Sequence, residues 1–419
     1  MEFTKLYKIN RNVAARKVTN IPQNIEQELK KINLKNKIGK SDQVAITAGS
    51  RGIANISHIL KSVVNYIKKI GANPFIIPSM GSHGGANPDG QVEVLRSLGI
   101  TEKRIDCNIK SSMEVVNVGE TSRGTPIFVD KIASESDGII VINRVKPHTL
   151  YEGKIESGLC KMMVIGMGNQ KGASVAHAWS LRWRLKNMIP EIATGIINKL
   201  PIIGGIALVE NFYDELNIIS GIKPDNFITK EKQLLKKAYK MMPLLPFDEA
   251  DILIIDAMGK NISGEGIDPN VVGRRVFQAE PAPEKPDVTR IFIRSLTEES
   301  HGNAIGTGLA DFVHQRVIDS MDINPTYMNA LTAKIPRDAR IPLVVKSDKQ
   351  GLRYCTDTIG SYNPDKVKIA WIKNTSKLDS FLVSESLLNN LQDNGSIEVQ
   401  EENISLRFNN AGDISEELL

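Results

Sequence analysis

The sequence predicts an α/β protein made of two α/β domains with mainly parallel sheets and an active-site cleft between the domains. Three observations predict this class. The chain has 419 residues, too many for one ordinary core. Short apolar runs alternate with segments of helical periodicity, which is the order of a parallel sheet with crossover helices. The pattern stops and restarts near Met242–Asp248, where two prolines interrupt a lysine-rich helix.

The first half contains most of the alternating pattern. Apolar residues of Ile56–Ile70 recur at helical spacing, and Asn87-Pro88 opens a second helix that Gly99 closes. We predict strands at Gln43–Ala48, Pro74–Met80, Gly138–Val145, Met162–Ile165 and Ile202–Val209, and helices at Ile56–Ile70, Pro88–Leu98 and Gln170–Asn187.

The second half repeats the alternation after the two prolines. We predict an N-terminal domain of residues 1–245 and a C-terminal domain of residues 246–419. Predicted strands are Asp251–Asp256, Arg290–Ser295, Ile341–Lys346 and Lys366–Trp371; predicted helices are Val313–Asp319, Thr326–Ala333 and Lys349–Thr356; Gln278–Asp287 is a predicted turn-rich loop.

The composition is typical of a soluble globular protein, with 41% hydrophobic and 24% charged residues. A net charge of +5 and only 5% aromatic residues argue against a nucleic-acid partner. The three cysteines lie far apart, so we expect neither a disulfide framework nor a structural zinc site, and a reducing cytoplasm is expected. The first residues lack the apolar segment of a secretory signal, and no run of about 20 apolar residues predicts a membrane span.

Polar residues follow three predicted strands of the first half. His83 and His148 each come just after a strand, and Arg51 follows Gln43–Ala48. Ligands bind at the carboxyl ends of parallel strands, and histidine suits proton transfer near neutral pH. An arginine there suits a carboxylate ligand. The alternatives are tight turns with an incidental histidine and an arginine that forms an ion pair.

Four other positions are candidates for a cofactor or ligand site. Lys161 begins an apolar run, where partial desolvation favours the neutral amine that forms covalent bonds; the alternative is a lysine that reaches solvent from a strand edge. Gly166-x-Gly168 resembles an incomplete dinucleotide fingerprint. His177 lies on a predicted helix, 16 residues beyond Lys161. Lys260 follows a strand of the second half, in either a ligand loop or a polar turn.

Together these elements resemble the nickel-dependent lactate racemase family over nearly the whole chain. The tightest match is Pro147–Gly166, PHTLYEGKIESGLCKMMVIG, where a Pro-His pair precedes a glycine-rich segment with a lysine. The chain departs from the lactate enzymes in three places. Ala48 replaces an aspartate, Gly84-Gly85 replaces a sequence that resembles Arg-Pro, and the stretch between the Pro-His pair and the lysine is about three residues longer.

The resemblance implies a cofactor and a role for each candidate. It implies a nickel-pincer nucleotide, a modified pyridinium mononucleotide, joined to the lysine by a thioamide. The implied site residues are His83 and His148 as acid and base, Lys161 as the tether with Gly166 and Gly168 at the cofactor, His177 as the nickel ligand, and Arg51 and Lys260 at the substrate.

The implied activity is racemisation or epimerisation of a 2-hydroxy acid by hydride abstraction and return, in a cytoplasmic isomerase. The expected partners are a small 2-hydroxy acid or sugar acid and the proteins that synthesise the cofactor, with no nucleic acid or membrane. The departures favour a substrate that is larger or more polar than lactate. The alternatives are an NAD-type hydroxy-acid dehydrogenase and a noncatalytic binder of anionic metabolites, and the oligomeric state stays open.

Overall fold

The computed structural model of the protein describes residues 5–277, 280–360, 363–392, 395–415 and 418–419. The chain forms two compact units. One is Ala15–Met242, and the other combines Pro243–Leu419 with the described residues of Met1–Ala14. The second unit thus takes in an N-terminal segment that the predicted boundaries assign to the first domain. The reason is strand pairing, because Leu6–Arg11 pairs with two strands near the end of the chain.

The described residues form sixteen strands and fourteen α-helices. The strands are β1 (Leu6–Arg11), β2 (Gln43–Ala48), β3 (Asn73–Pro78), β4 (Asn108–Ile109), β5 (Val115–Glu120), β6 (Pro126–Asp130), β7 (Gly138–Arg144), β8 (Ile202–Glu210), β9 (Leu216–Ile222), β10 (Glu249–Met258), β11 (Asp287–Leu296), β12 (Phe312–His314), β13 (Leu343–Val345), β14 (Ile369–Asn374), β15 (Lys377–Ser384) and β16 (Ile397–Ile404).

Helices connect most of the parallel strands. They are α1 (Ile21–Lys31), α2 (Ile56–Ile70), α3 (Pro88–Ser97), α4 (Glu102–Ile105), α5 (Lys131–Ser134), α6 (Leu159–Lys161), α7 (Asn169–Trp183), α8 (Leu185–Lys199), α9 (Phe227–Met241), α10 (Pro269–Val272), α11 (Gln315–Asp319), α12 (Ile323–Ala333), α13 (Asp348–Thr358) and α14 (Glu385–Leu388). No helix of the described ranges is both long enough and apolar enough to cross a membrane.

The first unit, Ala15–Met242, is built on a six-stranded sheet of order β4-β3-β2-β7-β8-β9. Five strands are parallel, and β9 runs antiparallel at one edge. Most residues of β2, β3 and β7 are buried, as expected for parallel strands covered on both faces. The buried Thr47 hydroxyl accepts a hydrogen bond from the Ile142 N–H at 2.9 Å, which joins β2 to β7. Since β3 and β7 flank β2, their carboxyl ends lie along one sheet edge.

The second unit contains an eight-stranded sheet of order β13-β12-β11-β10-β14-β15-β1-β16. The first five strands are parallel, and the last three are antiparallel. Leu6 of β1 packs in the core of this unit with Phe292 and Trp371. The predicted α/β class with mainly parallel sheets is confirmed, whereas the cleft between the domains stays a prediction.

Two predicted elements of the first half are wrong in type or length. Met162–Ile165 is not a strand, because Met162–Gly166 forms a π-helical turn. A short apolar run has no periodicity that separates a buried strand from a buried helix. The predicted helix Gln170–Asn187 is interrupted at Arg184, whose φ of 61° ends α7 before α8 begins.

Two predictions in the second half need smaller corrections. The predicted helix Val313–Asp319 begins only at Gln315, because the two residues before it complete β12. Of the predicted loop Gln278–Asp287, residues 278 and 279 lie outside the described residues, and β11 already begins at Asp287.

Candidate functional site

Three neighbouring strands of the first unit end in three of the predicted site residues. Arg51 follows β2, His83 follows β3 and His148 follows β7. The order β3-β2-β7 puts the two histidine-bearing strand ends on either side of the arginine-bearing end. Adjacent strands lie about 4.8 Å apart, so the outer two ends are separated by about 10 Å. The two histidine loops therefore lie on either side of the Arg51 loop.

The His83 turn is held close to the segment that follows Lys161. Gly81, with a φ of 62°, donates its N–H to the Gly166 carbonyl at 3.2 Å, and the buried Gln91 amide donates to the Gly81 carbonyl at 3.1 Å. His83 Nδ1 lies 2.8 Å from the Met80 carbonyl oxygen. Since a carbonyl only accepts, Nδ1 carries the proton, and the neutral ring has its lone pair on Nε2. His83 is therefore arranged as a proton acceptor at Nε2.

His148 has the opposite tautomer. The Leu150 N–H donates to His148 Nδ1 at 2.9 Å, so Nδ1 holds a lone pair and the neutral ring carries its proton on Nε2. Nε2 is hydrogen-bonded to Lys161 Nζ. The buried ring stacks on Tyr151, with 4.5 Å between the ring centroids. His148 is therefore arranged as a proton donor at Nε2.

Glu156 organises the loop that carries His148. One of its oxygens accepts the His148 N–H at 2.6 Å, and the other accepts the Gly153 N–H and the Tyr239 hydroxyl, both at 3.0 Å. Burial raises the pKa of the Glu156 carboxyl to about 7. Nothing in the sequence singled out this residue, because a glutamate in a polar loop is ordinarily exposed.

Lys161 ends the short helix α6 and leads into the π-helical turn Met162–Gly166. The Met167 N–H donates to the Met162 carbonyl at 2.9 Å, which is the i to i+5 bond of a π turn. A Cβ atom on Gly166 would lie 2.5 Å from the Ser79 carbonyl oxygen. A glycine is therefore needed where this turn approaches the end of the His83 strand. Such turns occur often at functional sites.

Glu231 of α9 is hydrogen-bonded to the backbone of the same segment. Its Oε2 accepts the N–H of Cys160, the residue before Lys161, at 3.1 Å. Glu231 is fully buried, and burial raises its pKa to about 7. Burial, and then Glu231, also raise the pKa of the Cys160 thiol. Glu231 is not among the residues predicted from the sequence, although a signal exists, since it lies on the apolar stripe of α9 together with Phe227, Leu234, Leu235 and Ala238.

Two arginines lie at the ends of β2 and β7. Arg144, at the end of β7, forms an ion pair with Glu210, which also accepts the Ala54 N–H at 2.7 Å. Burial, and then Arg144, lower the pKa of the Arg51 guanidinium. Two guanidinium groups at the strand ends are groups that can bind an anionic ligand.

His177 lies on the face of α7 that packs on the His83 turn. The Cβ of Ala173 is 3.5 Å from the position that a Cβ on Gly81 would take. Residues four apart share one face of a helix, so His177 lies one turn beyond this contact on the same face. The structure therefore brings His83, His148, Lys161 and Arg51 to one region and puts His177 on a helix that packs there.

Lys260 belongs to the second unit and follows β10. Its ammonium donates to the Gly264 carbonyl at 2.5 Å and to Asn329 Oδ1 at 2.6 Å, and its N–H donates to Ser300 Oγ at 2.9 Å. These contacts fix the lysine within its own loop cluster. Its role at a substrate stays a prediction.

Among the described residues, one group of side chains has donor atoms close enough to share a metal ion: His314, Asp348 and Asp413, in the second unit. These donors are already used. His314 Nδ1 accepts the Arg316 N–H at 3.1 Å and its Nε2 lies 2.9 Å from Asp413, while Arg294 binds both oxygens of Asp348 at 2.9 and 2.7 Å. This group is an ion-pair network rather than a metal site.

Comparisons with known proteins found one matching family model and a similar solved structure. Residues 3–186 match a family model described as the lactate racemase N-terminal domain. The solved structure of the lactate racemase apoprotein from Thermoanaerobacterium thermosaccharolyticum matches with a TM-score of 0.51 and 13% identity, covering 88% of this chain and 98% of that chain. It shares the fold. No curated protein matches the sequence. Over residues 3–186, the chain is thus similar to the N-terminal domain of lactate racemases.

Proposed function

We propose that the protein is a racemase or epimerase of a 2-hydroxy acid and works with a nickel-pincer nucleotide joined to Lys161. The observation that carries the proposal is the pair of opposite histidine tautomers. His83 accepts a proton at Nε2 and His148 donates one at Nε2, on strand ends that flank the Arg51 loop. An enzyme that interconverts two configurations needs one base and one acid on different sides of its substrate.

The side chains divide the proton chemistry as follows. Arg51, in the positive field that it shares with Arg144, binds the substrate carboxylate. His83 Nε2 takes the proton of the substrate hydroxyl, and His148 Nε2–H returns a proton when the opposite configuration forms. The roles reverse for the other configuration.

The residues fit the cofactor that the family uses. Lys161 is hydrogen-bonded to a histidine that donates to it, which suits a neutral amine able to form an acyl linkage. Gly166 and Gly168 allow close backbone approach beside the tether, and the His177 imidazole suits nickel. When bound, the nickel-pincer nucleotide supplies the acceptor for the hydride on the substrate α-carbon.

The incomplete dinucleotide fingerprint does not favour the dehydrogenase alternative. Gly166 ends a π-helical turn and Gly168 precedes α7, whereas the fingerprint requires a strand directly before its glycines. A Cβ on Gly168 would lie 2.6 Å from the Val164 carbonyl oxygen, so close packing already accounts for this glycine.

The Gly84-Gly85 departure also has a packing reason. Gly84 has a φ of 66°, and a Cβ there would lie 2.5 Å from the backbone of Gly90 in α3. The glycine pair therefore reflects the approach of α3 and carries less information about the substrate than the sequence suggested. A nickel-loaded sample should be screened against chiral 2-hydroxy acids, including malate-like diacids and sugar acids, to identify the substrate.

Intact mass tests the cofactor. The protein is expressed together with cofactor-synthesis proteins, and nickel content and peptide masses are measured. We expect one nickel-containing adduct on Lys161, kept in Lys154→Met, a change of an exposed lysine in the neighbouring loop, and lost in Lys161→Met. A known lactate racemase loaded in the same cells controls the cofactor supply. Absence of the adduct when that control is loaded would reject the cofactor assignment.

Two histidine variants test the proton chemistry. His83→Gln and His148→Gln should each lower isomerisation at least about 100-fold per mole of adduct-carrying protein, which is the usual contribution of a general acid or base. Normalising to the adduct separates proton transfer from cofactor loading. Full activity of either variant would remove that histidine from the mechanism.

A further inference from the structure

The hydrogen bonds of His148 determine the charge of Lys161. His148 Nδ1 accepts the Leu150 N–H, so its Nε2 carries the proton of the neutral ring. Nε2 faces Lys161 Nζ within hydrogen-bonding distance. An ammonium group has three donors and no lone pair, so it cannot accept this proton. With this tautomer, Lys161 is the neutral amine that accepts the hydrogen bond.

The charged groups around this pair agree with an uncharged lysine. Glu156 is bound to the loop backbone and to Tyr239, and Glu231 binds the N–H of Cys160. Burial raises the pKa of both carboxyls to about 7, and both already accept hydrogen bonds from other groups. Arg51 adds positive charge to the same region and disfavours a further cation.

We propose that His148 acts before turnover by holding Lys161 as an uncharged nucleophilic amine. Condensation of Nζ with a thiocarboxylic acid would form the N–C bond, break the C–O bond and release water that takes up a proton from Nζ. The resulting thioamide nitrogen would then release His148 to the substrate. An acylated nitrogen keeps an N–H and loses its basic lone pair, so two donors would face each other and the contact would break. The inference deepens the proposed function and rests on it only for the identity of the acyl group.

His314 provides a comparison within the same chain. Its Nδ1 also accepts the N–H two residues later, from Arg316, and its Nε2 also has an acceptor, Asp413. An aspartate accepts in every ordinary state, whereas a lysine amine stops accepting once it is acylated. His148 therefore has an acceptor that chemistry can remove, and His314 has a permanent one.

Nitrogen NMR of the unloaded full-length protein tests the starting state. Histidine labelled with ¹⁵N shows the tautomer of each ring through long-range proton–nitrogen couplings, assigned with single histidine variants. At about pH 7 we expect His148 and His314 with the proton on Nε2 and His83 with the proton on Nδ1. His148 observed as imidazolium, or with its proton on Nδ1, would overturn the inference.

Competitive acetylation tests the lysine. The amine displaces acetate from acetic anhydride: the N–C bond forms, acetate leaves with the bonding electron pair, and the amine proton passes to solvent. An ordinary lysine is neutral in roughly one molecule in 2,500 at pH 7. We expect Lys161 to react at least about 10-fold faster than the exposed Lys154, despite its lower exposure.

A histidine variant and the acetylated protein complete the test. His148→Phe should slow acetylation of Lys161 at least about 10-fold and leave Lys154 unchanged. Acetylation of Lys161 should shift the nitrogen resonances of His148 and leave those of His314 in place. Equal rates for the two lysines in the unmodified protein would contradict the inference.

These measurements need neither nickel nor turnover. If the tautomer and the fast acetylation are observed and no nickel adduct forms in cells, the proposed function fails and the role of His148 stands. If the adduct forms and Lys161 reacts at the same rate as Lys154, the proposed function stands and the role of His148 before turnover fails.

Discussion

Replacing Glu231 by glutamine should change how the stability of the protein depends on pH. Glu231 is buried under the segment that carries Lys161, and burial raises its pKa from 4.5 to about 7. The folded protein therefore holds this proton more tightly than the unfolded chain does. The contribution to stability is full below about pH 4.5 and is lost as the pH rises through about 7.

The size of the effect follows from the two pKa values. Between about pH 5.5 and about pH 8, the contribution of Glu231 to the free energy of unfolding falls by about 2 kcal/mol. The total fall at high pH approaches about 3 kcal/mol. In Glu231→Gln the amide cannot ionise, and its carbonyl still accepts the Cys160 N–H. The cost of burying the amide NH2 is the same at every pH, so it cancels from the comparison.

The assay is urea unfolding of the protein and the variant at both pH values, followed by tryptophan fluorescence. Trp179 and Trp183 lie in the same unit as Glu231. Between the two pH values, the variant should gain about 2 kcal/mol relative to the unsubstituted protein. Glu156→Gln should show the same sign, since burial also raises the pKa of that carboxyl to about 7. If the free energies of unfolding of the unsubstituted protein and of Glu231→Gln differ by the same amount at both pH values, the reasoning is refuted.

Three other variants, with Gly52→Ala as a control, test the packing and the charges. Gly166→Ala would bring a Cβ within 2.5 Å of a backbone oxygen and should destabilise by about 1–3 kcal/mol, whereas Gly52→Ala, with nothing within 4 Å, should change stability by less than about 0.5 kcal/mol, both measured by urea unfolding. Arg144→Met leaves the Glu210 carboxylate without its arginine and should lower stability by about 3 kcal/mol; an unchanged unfolding midpoint would contradict the ion pair's role. Asp348→Asn should lower Tm, whereas EDTA should leave the Tm of the unsubstituted protein unchanged, because the donors of this network already have hydrogen-bond partners; a Tm lowered by EDTA would instead indicate a bound metal.

Much of the fold could be predicted because each helix or strand of the first unit has an apolar pattern that lies within its own short segment of sequence. The helix Ile56–Ile70 was predicted at its observed bounds, and the strand Gln43–Ala48 also matches. The alternation of helices and strands was enough to predict parallel sheets. Arg51, His83 and His148 could be named as candidate site residues because each follows a predicted strand. The pairing of β1 with strands near the chain end could not be predicted, because no local pattern identifies a partner that is hundreds of residues away.

The sequence by itself determined the residue types at the strand ends and, through the resemblance, the order of His83, His148, Lys161 and His177. The tertiary structure decided what those residues are arranged to do. The tautomers of the two histidines follow from the backbone group that meets Nδ1, a carbonyl at His83 and an N–H at His148. That difference sets one ring to accept and the other to donate. It depends on loop geometry, which no spacing of residue types in the sequence encodes.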